Sequence, residues 1–270
     1  MRYIQEKHCN TENLQIQYKN NKPFPHIVLD NFIQPDFIER VLTEFPDLSL
    51  LENKKSFNTP QQIKFASEGF NDISSSAFEL ISFFNSDIFL TYLQKITGIK
   101  EVLISDPYLS GGGYHEIKKG GVLKVHADFN KHPLINLDRR VNLLLYLNKD
   151  WDKKWGGNLE LYDPKNLNKP VVKVPPIFNR CVIFNTTSYT FHGHPEPLSC
   201  TENLSRKSIA LYFFSLGRPG NEISEDHSTM WKAVKGETLK SPPLTFRRFV
   251  AMVLPPFIFS FIKNRYEKNK

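Results

Sequence analysis

The stretch KVHADF at residues 124–129 places an imidazole and a carboxylate two positions apart, among residues that favour β-strands. In a strand, residues i and i+2 point to the same face, whereas in a helix they lie far apart around the axis. If the segment is extended, His126 and Asp128 converge on one point, as two ligands of a metal ion must. The alternative is a buried histidine that is hydrogen-bonded to Asp128 and has a purely structural role.

The chain around this stretch is rich in short β-runs. From about residue 100, such runs are separated by turn residues and have no helical pattern between them. This pattern is typical of an antiparallel sandwich or jelly roll. The runs are EVLISDPYL, GVLKVHADF, RRVNLLLYLN, GNLELYD, KPVVKVPP, RCVIFNTT and RKSIALYFFS.

The first hundred residues are predicted to be mainly helical. Pro35 suits a first helical turn and precedes an apolar stripe. The serines at 74–76 and Ser86 are candidate N-caps of two further helices, the second of which Gly98 closes. We therefore predict a mainly β protein with flanking helices, in which a helical layer at 1–99 packs on a β core at 100–218 and a tail follows at 219–270.

A jelly roll can hold a metal ion between its sheets, and FHGHPEPL offers a third ligand in His192 or His194. Two histidines and one carboxylate leave coordination positions open, as in non-heme Fe(II) oxygenases. In RKSIALYFFS, Arg206 shares a face with Ser208, and a buried guanidinium needs an anion. A dicarboxylate co-substrate provides one, because arginine binds a carboxylate through two parallel hydrogen bonds.

VHADF, RRVNLLLYLNKDWD, GGNLELYD, NRCVIFNTT, FHGHPEPL and RKSIALYFF, in this order, resemble the 2-oxoglutarate- and iron-dependent oxygenases, specifically the prolyl-4-hydroxylase-like group. The resemblance covers roughly residues 100–216 and implies a double-stranded β-helix. It implies that Fe(II) is bound by His126, Asp128 and a distal histidine. In the family, a proline and then an apolar residue follow that histidine, a register that His192 fits through Pro197-Leu198. We therefore prefer His192, so that His194 lines the pocket.

The same resemblance implies the co-substrate site and the reaction. Arg206, Tyr146 and Ser208 would bind the distal carboxylate of 2-oxoglutarate, and Asn142 shares a strand face with Tyr146. The alternative is that Tyr146, Asn142 and Ser208 only pack in the core. The implied reaction consumes dioxygen and 2-oxoglutarate, releases succinate and CO2, and hydroxylates an aliphatic C–H bond, with a peptidyl proline as the foremost substrate. Support by ascorbate is expected.

The sequence says little about the substrate. The glycine-rich segment SGGGYHEIKKGG is predicted to be a mobile entrance loop. Lys124 shares a face with His126 if the strand is regular, where it would meet an acidic substrate group, whereas a bulge would turn it to solvent. The candidate substrate contacts are Tyr114, His115, Lys118, Lys119, Lys124 and His194.

Three other functions compete with prolyl hydroxylation. One is a tailoring hydroxylase of a sugar or small metabolite, and another is a jelly-roll binding protein that has lost its chemistry. The third is a zinc hydrolase, which has no evident reason to bury Arg206. The intact HxD, distal histidine and RxS elements favour an oxygenase, because a degenerate relative is expected to lose at least one of them.

Charge and cysteine content indicate which partners and which cellular compartment to expect. The net charge is +7, but seven basic residues and one acid lie from residue 240 onward, so the body is nearly neutral and gives no strong indication of nucleic-acid binding. The apolar, basic tail is expected either to contact a membrane surface or partner, or to pack on its own domain. Three scattered cysteines and a polar start without a signal-peptide pattern favour the cytoplasm.

Overall fold

A computed structural model of the chain describes residues 1–234, 236 and 238–239. These residues belong to the compact unit Met1–Leu239. The predictions for the basic tail from residue 240 lie outside the described residues. The helices are α1 (Thr11–Asn20), α2 (Pro35–Thr43), α3 (Ser75–Phe84) and α4 (Asp87–Thr97). The strands are β1 (His26–Asp30), β2 (Lys55–Thr59), β3 (Gln62–Ala66), β4 (Ile104–Ser105), β5 (Gly113–Lys118), β6 (Leu123–Ala127), β7 (Asp138–Tyr146), β8 (Leu159–Tyr162), β9 (Val172–Val174), β10 (Arg180–Asn185), β11 (Phe191–His194), β12 (Ser205–Ser215) and β13 (Met230–Trp231).

The strands form one antiparallel sheet that folds over on itself as a jelly roll. Its order is β1-β10-β7-β12-β5-β3-β6-β11-β8-β9, with β13 added to β6, β2 to β3 and β4 to β12. The larger half, β1-β10-β7-β12-β5, and the smaller half, β6-β11-β8-β9, are joined through β3, which pairs with both β5 and β6. A cavity can therefore form between the two halves.

Successive side chains of β7 point alternately to the two faces of the larger half, and each face belongs to a different apolar cluster. Val141, Leu143 and Leu145 belong to the main apolar core that the helices cover. Tyr146 belongs instead to a second cluster inside the roll, where Leu144 packs against it. Since neighbouring residues of a strand point to opposite faces, one strand both anchors the helical layer and lines the interior.

Helices α2, α3 and α4 begin where the sequence predicts, and α4 ends at Gly98 as predicted, whereas α1 has no counterpart among the predicted helices. The Ser74 hydroxyl accepts from the amide of Ala77, the Ser86 hydroxyl accepts from the amide of Phe89, and Gly98 ends α4 in the left-handed conformation with φ 67°. These caps satisfy backbone groups that the first and last turns leave without partners. The amphipathic helices then bury their apolar faces on the sheet.

The jelly-roll prediction is confirmed, although several strands differ from the predicted runs. The first hundred residues contribute β1, β2 and β3 to the sheet in addition to their helices. The predicted run EVLISDPYL yields only the two-residue β4. The expectation of a mobile loop at SGGGYHEIKKGG is wrong for its central part, which forms β5 and pairs with β12 along its length. Within the described residues, every helix is too short or too polar to cross a bilayer.

Candidate active site

Three donor groups meet at one end of the cavity between the sheet halves. His126 is near the end of β6, Asp128 follows that strand, and His192 lies on β11 directly opposite His126. The ligand atoms of the three side chains all lie within 4.8 Å of one another. His126 Nε2 is 3.5 Å from Asp128 Oδ1, and His192 Nε2 is 3.4 Å from Asp128 Oδ2. This spacing suits three ligands around one ion.

Hydrogen bonds orient both imidazoles. His126 Nδ1 donates to the Lys124 carbonyl at 2.8 Å, and His192 Nδ1 donates to the Thr190 carbonyl at 3.0 Å. A carbonyl can only accept, so the proton of each neutral ring is on Nδ1 and the lone pair of Nε2 faces the shared point. Backbone partners of this kind fix the tautomer and direction of metal-binding histidines.

The carboxylate of Asp128 is held by two neighbours. Asn142 Nδ2 donates to Oδ2 at 2.7 Å, and Arg139 Nη2 lies 3.0 Å from the same oxygen. Burial alone would raise the pKa of Asp128, but the charge of Arg139 and the nearby His192 and His126 rings hold it well below its ordinary value. Burial also lowers the pKa of His192 to about 4. At neutral pH, the carboxylate is therefore ionised and the His192 imidazole neutral, which are the protonation states in which they bind metals.

The donor set fits a ferrous ion. Two imidazole nitrogens and one carboxylate on one side of a cavity leave the other coordination positions free for a co-substrate and dioxygen. A closed structural zinc site would need a fourth protein ligand, and the described residues offer only three at this point.

A buried guanidinium occupies the other end of the same cavity. Arg206 is 6% exposed. Its Nε donates to the Gly157 carbonyl at 2.8 Å and its Nη2 donates to the Tyr146 hydroxyl at 3.1 Å. No described carboxylate pairs with it, so its charge is uncompensated within that part of the protein. Because an isolated buried cation is costly, the arrangement fits an anionic ligand such as the distal carboxylate of 2-oxoglutarate. Ser208 lines the cavity beside it.

The model of the 2OG-Fe(II) oxygenase superfamily matches residues 112–214, which include the three donors and Arg206. The chain belongs to this superfamily. Prolyl 3-hydroxylase OGFOD1 of Mus musculus is 31% identical to this chain over 229 residues, 78% of this chain and 38% of the relative. The Xenopus laevis protein of the same name is 30% identical over 203 residues, 73% of this chain and 36% of the relative. The chain thus spans little more than a third of the length of these relatives.

Two solved structures share the fold of this chain. A Trichoplax adhaerens prolyl hydroxylase in complex with a hypoxia inducible factor oxygen degradation domain peptide aligns with a TM-score of 0.56 and 19% identity, over 77% of this chain and 91% of that one. A Pseudomonas putida prolyl-4-hydroxylase aligns with a TM-score of 0.51 and 14% identity, over 75% and 98% of the respective chains. Both structures are similar to this chain in fold, the double-stranded β-helix that the sequence predicts.

The predicted co-substrate residues form two groups in the structure. Tyr146, Arg206 and Ser208 lie together, since Ser208 is the cross-strand partner of Tyr146. Asn142 also lines the cavity, but its amide contacts the Asp128 carboxylate. Asn142 thus holds the Asp128 carboxylate from the cavity wall that β7 forms.

The predicted substrate contacts mostly lie elsewhere. Tyr114 is fully buried, bonded through its hydroxyl to Ser74 and packed on Phe45 in the helix-covered core, so the prediction that it contacts substrate is wrong. The Lys124 ammonium donates to the Pro195 carbonyl at 3.0 Å. His115 and His194 line the cavity. Lys118 pairs with Asp47 and Lys119 with Glu202, outside the cavity.

His194 lies beside the site without being one of the three donors. Burial and the positive charge of Arg206 keep its pKa well below 6.5, although the backbone of Glu196 acts on the ring in the opposite direction. Neither ring nitrogen has a partner at good hydrogen-bond geometry among the described residues. The neutral ring is therefore available to a bound molecule.

Three residues of the site were missed from the sequence. Arg139 is 1% exposed and lies between the rings of Phe129 and Tyr212, 4.3 and 3.5 Å from their centroids. Trp231, on β13, lies 5.0 Å from the His126 ring. Lys64 reaches the cavity from β3. Of these three residues, only Arg139 has a signal in the sequence, because it stands at the start of an apolar strand. A buried arginine needs a carboxylate, and Asp128 is a candidate for the interior.

Proposed function

We propose that this chain is an Fe(II)- and 2-oxoglutarate-dependent hydroxylase that acts on a prolyl residue of a peptide. The observation that carries the proposal is the pairing, in one cavity, of the His126, Asp128 and His192 donor set with the uncompensated Arg206 guanidinium. The curated relatives bear the name prolyl 3-hydroxylase, which supports proline as the substrate and carbon 3 as the position.

The chain's own residues would divide the work between two ends of the cavity. His126, Asp128 and His192 would hold the iron, while Arg206 and Tyr146 would hold the distal carboxylate of 2-oxoglutarate. When bound, the ferrous ion supplies the redox chemistry by which dioxygen and 2-oxoglutarate convert an aliphatic C–H bond to C–OH, with succinate and CO2 as co-products.

The walls of the cavity fix the ligands and limit the access of water. Leu144, Leu159 and Phe184 give the cavity an apolar lining, and the Phe184 ring lies 4.8 Å from the His192 ring, so these walls would limit the access of bulk water to the site. Asn142 and Arg139 hold the Asp128 carboxylate in place. Preorganisation of this kind reduces the cost of orienting substrate and co-substrate.

The test is a mass-spectrometric search for the gain of one oxygen in proline-containing peptides, free amino acids and sugars, with Fe(II), 2-oxoglutarate and oxygen. We expect oxygen gain on peptidyl proline together with succinate, stimulation by ascorbate, and loss of both products in His126→Ala. NMR of the product distinguishes carbon 3 from carbon 4. Oxygen gain only on sugars or free metabolites would refute the peptide assignment, and turnover without 2-oxoglutarate would refute the reaction class.

We also propose that the enzyme works in the cytoplasm. Cys9, Cys181 and Cys200 are all free thiols in the described structure, which agrees with a reducing compartment. Localisation of the tagged protein by microscopy or fractionation tests this.

A further inference from the structure

The ammonium group of Lys64 faces the cavity from β3. That strand lies between the two sheet halves, where Ala66 pairs with His115 of β5 and Gln62 pairs with Leu123 of β6. Lys64 lines the same cavity as the three donors and Arg206. Its Nζ is 5.2 Å from the centroid of the Phe57 ring on the neighbouring strand. The side chain thus has an aromatic support on one side and the cavity on the other.

Lys64 is a cation without an acidic partner among the described residues. Burial lowers its pKa to about 8, so the amine remains largely protonated at pH 7. After burial, the strongest electrostatic influence on it comes from Asp128, followed by Arg139 and Arg206. Its charge in turn helps to lower the pKa of the two cavity histidines His115 and His194.

The cavity as a whole carries a surplus of positive charge. Its cationic side chains are Lys64, Arg139 and Arg206, and its only described carboxylate is that of Asp128. The rings of His115 and His194 are neutral, because burial lowers the pKa of both well below 6.5. A ferrous ion and the 2-oxoglutarate dianion carry equal and opposite charges. Loading both therefore leaves the surplus in place.

Two of the three cations have assigned partners, which leaves the third for the substrate. Arg139 pairs with Asp128, and Arg206 suits the distal carboxylate of the co-substrate. We propose that Lys64 binds a carboxylate of the peptide substrate, so that the enzyme selects a proline next to aspartate or glutamate. This inference rests on the proposed function, since it takes the three donors and Arg206 to be occupied by iron and 2-oxoglutarate.

The test compares two acetylated pentapeptides that have proline at the centre. One carries glutamate beside the proline and the other carries glutamine at the same place, and both neighbouring positions are tried. Binding is measured by calorimetry on the full chain loaded with Mn(II) and 2-oxoglutarate without oxygen. We expect the glutamate peptide to bind about tenfold tighter, because a partly buried ion pair contributes on this scale.

Two Lys64 variants and a matched control identify the residue responsible. Lys64→Met should abolish the preference for glutamate, and Lys64→Arg should retain it. Lys207 is the control, because its ammonium also lies 5.2 Å from a phenylalanine centroid but is not part of the cavity lining. Lys207→Met should leave the preference unchanged.

Equal binding of the two peptides by the wild type would overturn the inference. It would also be overturned if Lys64→Met weakened 2-oxoglutarate about tenfold while the peptide preference survived, since the partner of Lys64 would then be the co-substrate carboxylate. Hydroxylation is scored separately by mass gain. Hydroxylation of both peptides without a preference supports the proposed function and refutes the inference about Lys64. Preferential binding of the glutamate peptide without oxygen gain in either peptide supports a role of Lys64 in peptide binding and refutes the proposed function.

Discussion

The amide of Asn142 offers a direct test of how the carboxylate ligand is held. Its Nδ2 donates to Asp128 Oδ2 at 2.7 Å, and its Oδ1 accepts from Arg139 Nε at 2.9 Å. The side chain is 2% exposed, so solvent cannot readily replace either bond. In Asn142→Ala, the carboxylate loses one of its two fixed neighbours and Arg139 loses one of its acceptors. We expect weaker metal binding with the fold retained.

The magnitude follows from what remains around the carboxylate. Removal of a hydrogen bond to a metal ligand typically weakens metal binding about 10- to 100-fold. Arg139 still contacts the same oxygen of Asp128 at 3.0 Å after the substitution. We therefore expect the lower end, about tenfold or about 1.4 kcal/mol.

The assay is anaerobic titration with Mn(II), in which free Mn(II) is counted by electron paramagnetic resonance. Asn148→Ala is the matched control, because Asn148 is also a buried asparagine but donates to the Pro176 and Lys207 carbonyls away from the three donors. The control should lower the free energy of unfolding without a change in metal affinity. Unchanged metal affinity in Asn142→Ala, or an equal loss in both variants, would refute the reasoning.

Four further outcomes are expected. Arg206→Lys should weaken 2-oxoglutarate at least about tenfold in an anaerobic titration of the Fe(II)–2-oxoglutarate absorption band, because lysine lacks the planar fork. His192→Ala should abolish Mn(II) binding, whereas His194→Ala should preserve it. The metal-free protein should lose stability in urea unfolding as the pH falls from 6.5 to about 4, because unfolding releases His192 to take up a proton that its lowered folded pKa excludes. His192 alone accounts for up to about 1.4 kcal/mol per pH unit, and the buried His115 and His194, whose pKa values are also lowered, add to the loss. Asn179→Ala should lower the free energy of unfolding by about 2–4 kcal/mol, since it removes two buried hydrogen bonds to Ile33 and puts alanine at φ 58°.

The first three of these expectations each have a result that would contradict them. Unchanged 2-oxoglutarate affinity in Arg206→Lys would mean that the co-substrate carboxylate binds elsewhere. Metal binding that survives in His192→Ala but not in His194→Ala would move the distal ligand. Stability that does not change between pH 6.5 and 4 would argue against a buried neutral His192. As a control for the unfolding measurements, Lys207→Met should have the same free energy of unfolding as the wild type within error.

The donor set could be predicted because its signal is local. His126 and Asp128 need only an extended backbone to share a face, and the β-formers around them specify that backbone. The helix boundaries at Ser74, Ser86 and Gly98 are equally local, since each cap satisfies neighbouring backbone groups. These features do not depend on the rest of the chain.

The wrong predictions, and the site residues that the sequence did not reveal, depend on pairing between distant segments. The glycine-rich segment has the composition of a loop, but β12 and β3 on its two sides complete its hydrogen bonds and make it a strand. That pairing turns Tyr114 into the core rather than the entrance. Lys64 lies sixty-two positions before His126 in the chain, and only the crossing of β3 between the sheet halves brings it to the cavity.

The short strand β13 bears on where this protein can be trimmed. Residues Met230 and Trp231 pair with Ala127 and His126, so a segment close to the end of the compact unit covers the imidazole of His126, one of the three candidate metal ligands. A fragment cut after residue 218, where the predicted β core ends, would lack this strand and leave that part of β6 without its partner. Minimal versions for crystallisation or engineering should therefore run at least through residue 232.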